Sequence, residues 1–165
     1  MLLVIFGLPG AGKSFVGNIL QKDFGYYLHD ADSDLPADVK KAIEESKPVS
    51  EEMRNRFFAT IIKTVKKLQE KHTTIVVTQT FIKEKYRQQF LQTFPDAKFI
   101  LVLTNTNIRE KRLQIRKEFP LNLQYTKQMV QNFDNPKIPF SKINNNEDGE
   151  EEIKKQLLVF LNNWK

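Results

Sequence analysis

The segment GLPGAGKS, at positions 7–14, holds the residues best suited to chemistry in this chain. Its three glycines allow a tight turn and expose successive backbone N–H groups with no side chains in the way. Lys13 adds a mobile ammonium group, and the hydroxyl of Ser14 can bind a divalent cation. N–H groups, a cation and a metal-binding hydroxyl in one turn are suited to holding the phosphates of a nucleotide.

The spacing of this segment matches the Walker A pattern, G-x-x-x-x-G-K-S. Six apolar residues precede it and predict a buried strand, and apolar residues at helical spacing follow it. The N-terminus of that helix adds the positive end of its dipole. A turn that only joins strand to helix is the alternative. We predict that ATP, together with Mg²⁺, is bound here by Gly7, Leu8, Pro9, Gly10, Ala11, Gly12, Lys13, Ser14 and Phe15.

Predicted strands and helices alternate along the rest of the chain. Strands are predicted at 1–6, 26–29, 73–81, 97–104 and 139–145. Helices are predicted at 13–23, from Ser50 onward, and at 83–94, 108–117, 124–133 and 150–164. Continuous apolar runs are typical of strands that are covered on both faces. This order predicts a single α/β domain, 1–165, with helices on both faces of a parallel sheet.

Three aspartates, Asp30, Asp32 and Asp34, follow the second predicted strand. In an extended chain they would share one side, at the edge of the sheet where ligands of α/β proteins bind. Phosphoryl transfer needs one carboxylate to hold Mg²⁺ and another to accept the proton of the attacking hydroxyl. We predict Asp32 as the base and a metal ligand and Asp34 as a substrate contact, although any of the three could be the base. An Asp-rich turn that caps the next helix is the alternative.

The segment NIREKRLQIRK places three arginines at helical steps of three and four residues, so that Arg109, Arg112 and Arg116 share one face. Arginines on such a face can clamp phosphates and stack on adenine. A solvated basic helix face is the alternative. We predict that Arg112 and Arg116 contact the nucleotide and that Arg116 assists the transferring phosphoryl group.

Composition limits the class of protein. The chain has 165 residues, no cysteine and a net charge of +6, with 26 Lys and Arg against 20 Asp and Glu. The lack of cysteine excludes disulfides and thiolate metal sites. No stretch resembles a membrane span or a signal peptide, so we expect a cytoplasmic protein without a membrane partner. Because the lysines are scattered, nucleic acid is a less favoured partner that stays open.

Beyond the loop, the chain resembles the small P-loop metabolite kinases, and the gluconate kinase group more closely than shikimate or nucleoside monophosphate kinases. The resemblance covers about 1–146. In KPVSEEMRNRF, Arg54 matches a substrate-facing arginine of that family. In TFIKEKYRQQF, the residues Lys83, Tyr86 and Arg87 match its Lys and Tyr-Arg.

Two later segments, FILVLTNTNIREKRLQIRK and MVQNFDNP, resemble the family's lid region. Arg112 and Arg116 match its Arg-Leu and Arg-Lys pairs, which implies nucleotide and phosphate roles for them. Two departures bear on the substrate. The family's Asp-x-Leu-His-Pro becomes DSDLP at 32–36, without the histidine, and its Gly-His-Phe becomes KEF at 117–119.

The resemblance implies a P-loop NTPase three-layer sandwich with a five-stranded parallel sheet, a substrate-binding region at about 35–60 and a helical lid at about 116–133. It also implies substrate contacts from Arg54 and Lys83. We expect an ATP-dependent kinase that acts on a hydroxyl of a small anionic metabolite, such as a gluconate-like sugar acid, and that is a monomer or homodimer. A nucleoside or polynucleotide kinase and an ATP-binding module without turnover are the alternatives.

Overall fold

The computed structural model describes residues 1–115, 123–146 and 149–164. The elements in chain order are β1 (Leu2–Phe6), α1 (Lys13–Phe24), β2 (Tyr27–Asp30), a 3₁₀ helix (Ala31–Asp34), α2 (Ala37–Glu44), α3 (Glu51–Gln69), β3 (Ile75–Thr78), α4 (Glu84–Thr93), β4 (Lys98–Leu103), α5 (Thr106–Ile115), α6 (Leu123–Gln131), β5 (Phe140–Asn144) and α7 (Glu150–Asn163). No helix within these residues is long and apolar enough to cross a membrane.

The five strands form one parallel sheet in the order β2-β3-β1-β4-β5. The central strand β1 pairs with β3 on one side and with β4 on the other, for example Val4 with Val77 and with Phe99. The chain therefore leaves β1 toward one half of the sheet and later fills the other half. Ligands of open α/β sheets bind at such a point, beyond the carboxyl ends of the strands. The segment 7–14 lies there, directly after β1.

Helices cover both faces of the sheet, which explains the continuous apolar run of β1. Its side chains alternate between two cores, with Leu2, Val4 and Phe6 on one face and Leu3 and Ile5 on the other. The first core includes residues of α3 and α4, and the second includes residues of α1 and α7. The predicted five-stranded parallel sheet in a three-layer arrangement is confirmed.

The long helix α3 begins as its sequence predicts. Ser50 is the N-cap, and its hydroxyl accepts the backbone N–H of Met53 at 3.1 Å. Glu51 and Glu52 in the first turn complement the helix dipole. Farther along, Phe57, Phe58, Ile61 and Val65 are buried in the core below the sheet edge. The N-terminus of α3 is thereby held beside the carboxyl ends of the strands.

One helix was not predicted, and one local prediction was wrong. The sequence analysis assigned no element between the aspartates and Ser50, where α2 occupies Ala37–Glu44. The aspartates were expected in extended chain, whereas 31–34 form a 3₁₀ helix with Asp30 as its N-cap. The Asp30 carboxylate accepts the backbone N–H of Asp32 at 3.1 Å. Asp32 and Asp34 therefore do not share one side, because a 3₁₀ helix turns successive side chains by about 120°.

Candidate active site

A cavity of 380 Å³ opens at the carboxyl edge of the sheet. The loop after β1 forms one end of it, and the 3₁₀ helix, α2 and the N-terminal half of α3 form the other. The loop between β3 and α4 contributes the floor, and α6 contributes Tyr125 and Met129. Phosphate-binding chemistry and the predicted substrate region thus face one continuous space.

The loop at 7–14 has the backbone that its glycines permit. Gly10 and Gly12 have φ angles of 78° and 95°, a region that side chains disfavour. A Cβ on Gly10 would lie 2.7 Å from the Arg109 carbonyl oxygen, and one on Gly12 would lie 2.1 Å from the Asn145 side-chain nitrogen. Lys13 curls back over the loop, and its Nζ donates to the carbonyls of Gly7 at 3.1 Å and Leu8 at 3.2 Å. These features are typical of an anion-binding loop with a cation beside it.

The predicted nucleotide-binding residues divide into two groups. The cavity is lined by Pro9, Gly10, Gly12, Lys13, Ser14 and Arg112. The cavity is not lined by the other four, Gly7, Leu8, Ala11 and Phe15. Ala11 is buried and Phe15 packs on the core between the sheet and α1 and α7.

Two residues that sequence reasoning missed hold the loop from behind. The carbonyl oxygen of Ala11 accepts hydrogen bonds from Thr104 Oγ1 at 2.9 Å and from Asn145 Nδ2 at 2.8 Å. Thr104 follows β4 and Asn145 follows β5. In the sheet, β4 lies next to β1 and β5 lies next to β4. Their only sequence signal is a position just after an apolar strand. These two hydrogen bonds hold the loop in its conformation at the carboxyl edge of the sheet.

The predicted basic face is divided by the fold. Arg109 is buried, its Nη1 donates to the Pro9 carbonyl at 3.3 Å, and burial lowers its pKa. It therefore supports the loop from within. Arg112 lines the cavity and donates to the Asn145 carbonyl oxygen at 3.2 Å. Arg116 and the KEF segment at 117–119 lie outside the described residues, as does the first part of the expected lid at 116–133.

Asp32, in the 3₁₀ helix, lines the cavity. Its Oδ1 accepts a hydrogen bond from Nε2 of Gln79 at 3.0 Å. Gln79 is itself buried, and its Oε1 accepts the backbone N–H of Thr80. That second bond fixes the amide so that its N–H groups point to Asp32. The hydrogen bond from Gln79 thus restrains the orientation of a carboxylate that lines the cavity.

Asp34 is placed differently from its expected role. Its Oδ2 lies 2.7 Å from His29 Nε2, and its Oδ1 accepts the hydroxyl of Thr64 at 3.0 Å. It does not line the cavity, whereas its neighbours Asp32 and Leu35 do. The carboxylate thus joins β2, the 3₁₀ helix and α3 instead of facing the acceptor.

The first turn of α3 and the helix α6 meet over the cavity. Arg54, from α3, lines it, and its side chain forms no hydrogen bond or ion pair within the described residues. Tyr125, from α6, lines it too, and sequence reasoning gave no role to it. Burial raises the pKa of Tyr125, and the charges of Arg54 and Asp32 also act on it, the first lowering and the second raising it. These three groups therefore lie close enough in the cavity for their charges to interact.

The loop between β3 and α4 is held by a buried arginine. Arg87 donates to the carbonyls of Phe81 at 2.8 Å and Asp134 at 2.8 Å, and its Nη1 lies 2.7 Å from a carboxylate oxygen of Glu84. Phe81 has a positive φ of 49°, an unusual conformation that these contacts stabilise. Lys83 lines the cavity, but its Nζ pairs with Asp134 Oδ1 at 3.1 Å. Arg87 is therefore a structural support of the cavity floor.

Two hydroxyl side chains, Ser14 and Thr78, line the cavity. Ser14 follows Lys13 at the mouth of the loop and lines the cavity. Thr78, at the end of β3, also lines it, and its Oγ1 is buried with no hydrogen-bond partner in the described residues. The same residues contain no group of three or more His, Asp or Glu side chains that could hold a metal. Ser14 and Asp32 fit a Mg²⁺ ion that takes its other ligands from phosphate and water.

Comparison with known families decides where the chain belongs. A family model described as AAA domain matches residues 2–136, which is more than half of the chain. The chain belongs to this AAA domain family. A match of that extent includes the phosphate loop, the aspartates, α3 and α6.

Proteins similar to this AAA domain protein include kinases. A probable gluconokinase of Xenopus tropicalis is 26% identical over 91 residues, a stretch that covers 55% of this chain and 48% of that relative. The alignment thus spans about half of the relative's length. The expected resemblance to the gluconate kinase group is confirmed.

Solved structures share the fold of this AAA domain protein along nearly its full length. An unliganded sugar kinase from Janibacter sp. HTCC2649 aligns with a TM-score of 0.82 at 15% identity, covering 98% of this chain and 94% of the other. A gluconokinase from Sinorhizobium meliloti 1021 aligns with a TM-score of 0.77 at 18% identity, covering 98% and 93%. At these identities the likeness establishes the fold.

Proposed function

We propose that this protein is an ATP- and Mg²⁺-dependent kinase that transfers the γ-phosphoryl group to a hydroxyl of a small anionic molecule. One observation carries the proposal. The phosphate loop, a hydrogen-bonded carboxylate, Asp32, and the cation Arg54 line the same cavity. A donor site, a base and an acceptor anchor are the parts that phosphoryl transfer requires.

On the donor side, the backbone N–H groups of the loop and the Nζ of Lys13 bind the β- and γ-phosphates of ATP. Lys13 now donates to two loop carbonyls, so it exchanges those bonds for phosphate oxygens when nucleotide binds. Arg112 adds a second cation at the same end of the cavity. Arg116 is proposed to assist the transferring group, as its match to the family motif implies.

On the acceptor side, Asp32 receives the proton of the attacking hydroxyl. Gln79 holds one oxygen of the carboxylate, and a carboxylate has lone pairs for further partners. The hydroxyl oxygen forms a bond to the γ-phosphorus while the bond to the bridging oxygen of ADP breaks. Arg54 binds the anionic group of the acceptor, and two parallel hydrogen bonds from its guanidinium suit a carboxylate. Lys83 contributes positive charge at the same edge.

Ser14 and Asp32 are proposed to hold the Mg²⁺ ion, and Thr78 to hold one of its water ligands. When bound, the ion supplies positive charge that neutralises the phosphate oxygens. The carboxylate of Asp32 would then both coordinate the ion and accept the proton of the hydroxyl, with different lone pairs. A second carboxylate, Asp30, lines the cavity beside it.

A gluconate-like sugar acid is the first acceptor to test, because a curated relative is named a probable gluconokinase. A nucleoside or polynucleotide kinase is the second candidate, favoured by the net charge of +6. ADP formation should be followed with ATP, Mg²⁺ and single acceptors: sugar acids, shikimate, nucleosides and 5′-hydroxyl oligonucleotides. Acceptor-dependent ADP and a phosphorylated acid are the expected results.

Lys13→Ala should reduce kcat sharply, because the charge on the γ-phosphate is lost. Lys22→Ala is the matched control, since Lys22 lies on the same helix and its side chain is 68% exposed. Bound ATP without any acceptor-dependent turnover would instead indicate a nucleotide-binding module. A best acceptor among oligonucleotides would indicate the polynucleotide kinase.

A further inference from the structure

The acceptor end of the cavity is walled mainly by apolar side chains. They come from α2, α3, α6 and the loops around them, and include Leu35, Val39, Ile43, Val49, Phe57 and Met129. Val39 and Phe57 are buried although they line the cavity, so this part is enclosed. A ligand in it exchanges water for hydrocarbon on most of its surface.

The polar side chains at this end are largely engaged with one another. Gln79 uses its carbonyl on Thr80 and its amide on Asp32. Lys83 pairs with Asp134, and the hydroxyl of Tyr86 donates to Asn55 at 2.8 Å. These groups have less capacity left for the ligand. Several hydroxyls of one ligand would lose water there without replacement, which is costly.

Asp34 was predicted to be a substrate contact. Its carboxylate instead binds His29 and Thr64 and does not line the cavity. The structure therefore removes one acidic side chain from the groups that would bind hydroxyls of the acceptor. Arg54 stays as a cation on the cavity wall with no ion pair among the described residues. At this end Arg54 suits one anionic group and Asp32 suits the reacting hydroxyl, while much of the remaining wall is apolar.

We infer that the acceptor is a hydroxy acid with a compact apolar body, rather than a sugar acid with many hydroxyls. This inference rests on the proposed kinase function. The carboxylate binds Arg54, the reacting hydroxyl lies at Asp32, and the apolar body fills the space between α2 and α3. The chemical step is unchanged: the acceptor oxygen bonds to the γ-phosphorus, ADP leaves and Asp32 takes the proton.

The test compares acids that differ in their body and share the head group. The acceptors are gluconate, lactate, 2-hydroxyhexanoate and 3-phenyllactate. The 3-hydroxy isomers of the last two acids are also measured, so that an effect of the hydroxyl position can be separated from an effect of the apolar body. We expect kcat/KM to rise by about fourfold per buried methylene, and 3-phenyllactate to exceed gluconate by roughly tenfold or more.

Two variants probe the wall. Val49→Asn and Ile43→Asn each add a polar group to a half-buried wall position and should lower the ratio of kcat/KM for 3-phenyllactate over gluconate by roughly tenfold. Leu158→Asn is the control, because Leu158 is 46% exposed on α7, far from the cavity in the chain. Val49 lies in a loop, so its variant tests the wall even if Ile43→Asn disrupts α2.

Calorimetric titration of the same acids, with a non-hydrolysable ATP analogue present, measures the binding preference of the apolar cavity without turnover. We expect 3-phenyllactate to bind more tightly than gluconate and with the more negative heat-capacity change. Absence of turnover with every acceptor would contradict the proposed kinase function, and this titration would still decide the inference. Gluconate binding or reacting better than the apolar acids, with a ratio unaffected by Val49→Asn, would overturn the inference and leave the kinase. A nucleoside with a higher kcat/KM than every acid, and with a kcat/KM unchanged by Arg54→Ala, would overturn the inference as well.

Discussion

Gln79 donates a hydrogen bond from Nε2 to Oδ1 of Asp32 at 3.0 Å, across 47 residues of sequence. Gln79 directly follows β3, and Asp32 belongs to the 3₁₀ helix after β2. The two strands are neighbours in the sheet, so the sheet itself sets the orientation of the carboxylate. Because Gln79 acts through Asp32, it is a positioning residue.

Replacing Gln79 by Glu should show this role in the pH dependence. The carbonyl oxygen that accepts Thr80 is kept, but a second carboxylate then faces Asp32, and two adjacent carboxylates resist joint ionisation. We expect the acid limb of the kcat/KM profile to move to higher pH, with ATP affinity retained. Gln89→Glu, at an exposed position on α4, is the control. An unmoved acid limb would show that Gln79 does not act on Asp32.

Asp32→Asn and Asp34→Asn should have opposite signatures. Asp32→Asn should lower kcat by roughly 100-fold, because the amide cannot accept the proton, while ATP still binds. Asp34→Asn should lower the free energy of unfolding by about 1–3 kcal/mol, because His29 and Thr64 lose a buried partner. Steady-state kinetics and urea unfolding of both variants separate the two effects. A large kinetic effect of Asp34→Asn at unchanged stability would return Asp34 to the acceptor site.

Asn145→Ala should weaken nucleotide binding by roughly fivefold, equivalent to about 1 kcal/mol. The lost amide leaves the Ala11 carbonyl with only Thr104 as a side-chain partner, so the loop samples shapes that do not fit phosphate. Titration of the protein with ATP measures the change. Asn144→Ala, at an exposed position one residue earlier in the chain, should leave the affinity unchanged.

Asp134 should make stability depend on pH at the acid end. The backbone N–H of Glu84 and the ammonium of Lys83 lower its pKa. Its stabilising contribution is therefore present above its unfolded pKa of about 3.9 and is lost as pH falls through the lower, folded value. The difference in unfolding free energy between wild type and Asp134→Asn should be constant between about pH 5 and 8 and shrink below about pH 4. It should be small, because the side chain is 42% exposed.

The phosphate loop was predictable because its requirements are local. Positive φ angles at Gly10 and Gly12, a lysine and a hydroxyl occur within a few residues, and no distant residue is needed to recognise them. Ser50 as the cap of α3 was predictable for the same reason. The helix α2 was not, because it has only eight residues and short helices gain their stability from packing, here through Val39 and Ala42.

By itself, the sequence determined the order of the five strands, the parallel sheet, the nucleotide loop and the set of charged residues near it, because apolar runs and glycine spacing are local signals. Only the tertiary structure decided which charges face the cavity. His29 and Thr64 turn Asp34 away, and Gln79 holds Asp32 toward the acceptor. These partners are up to 47 residues apart, and their contacts depend on strand order and helix packing, which no local pattern encodes.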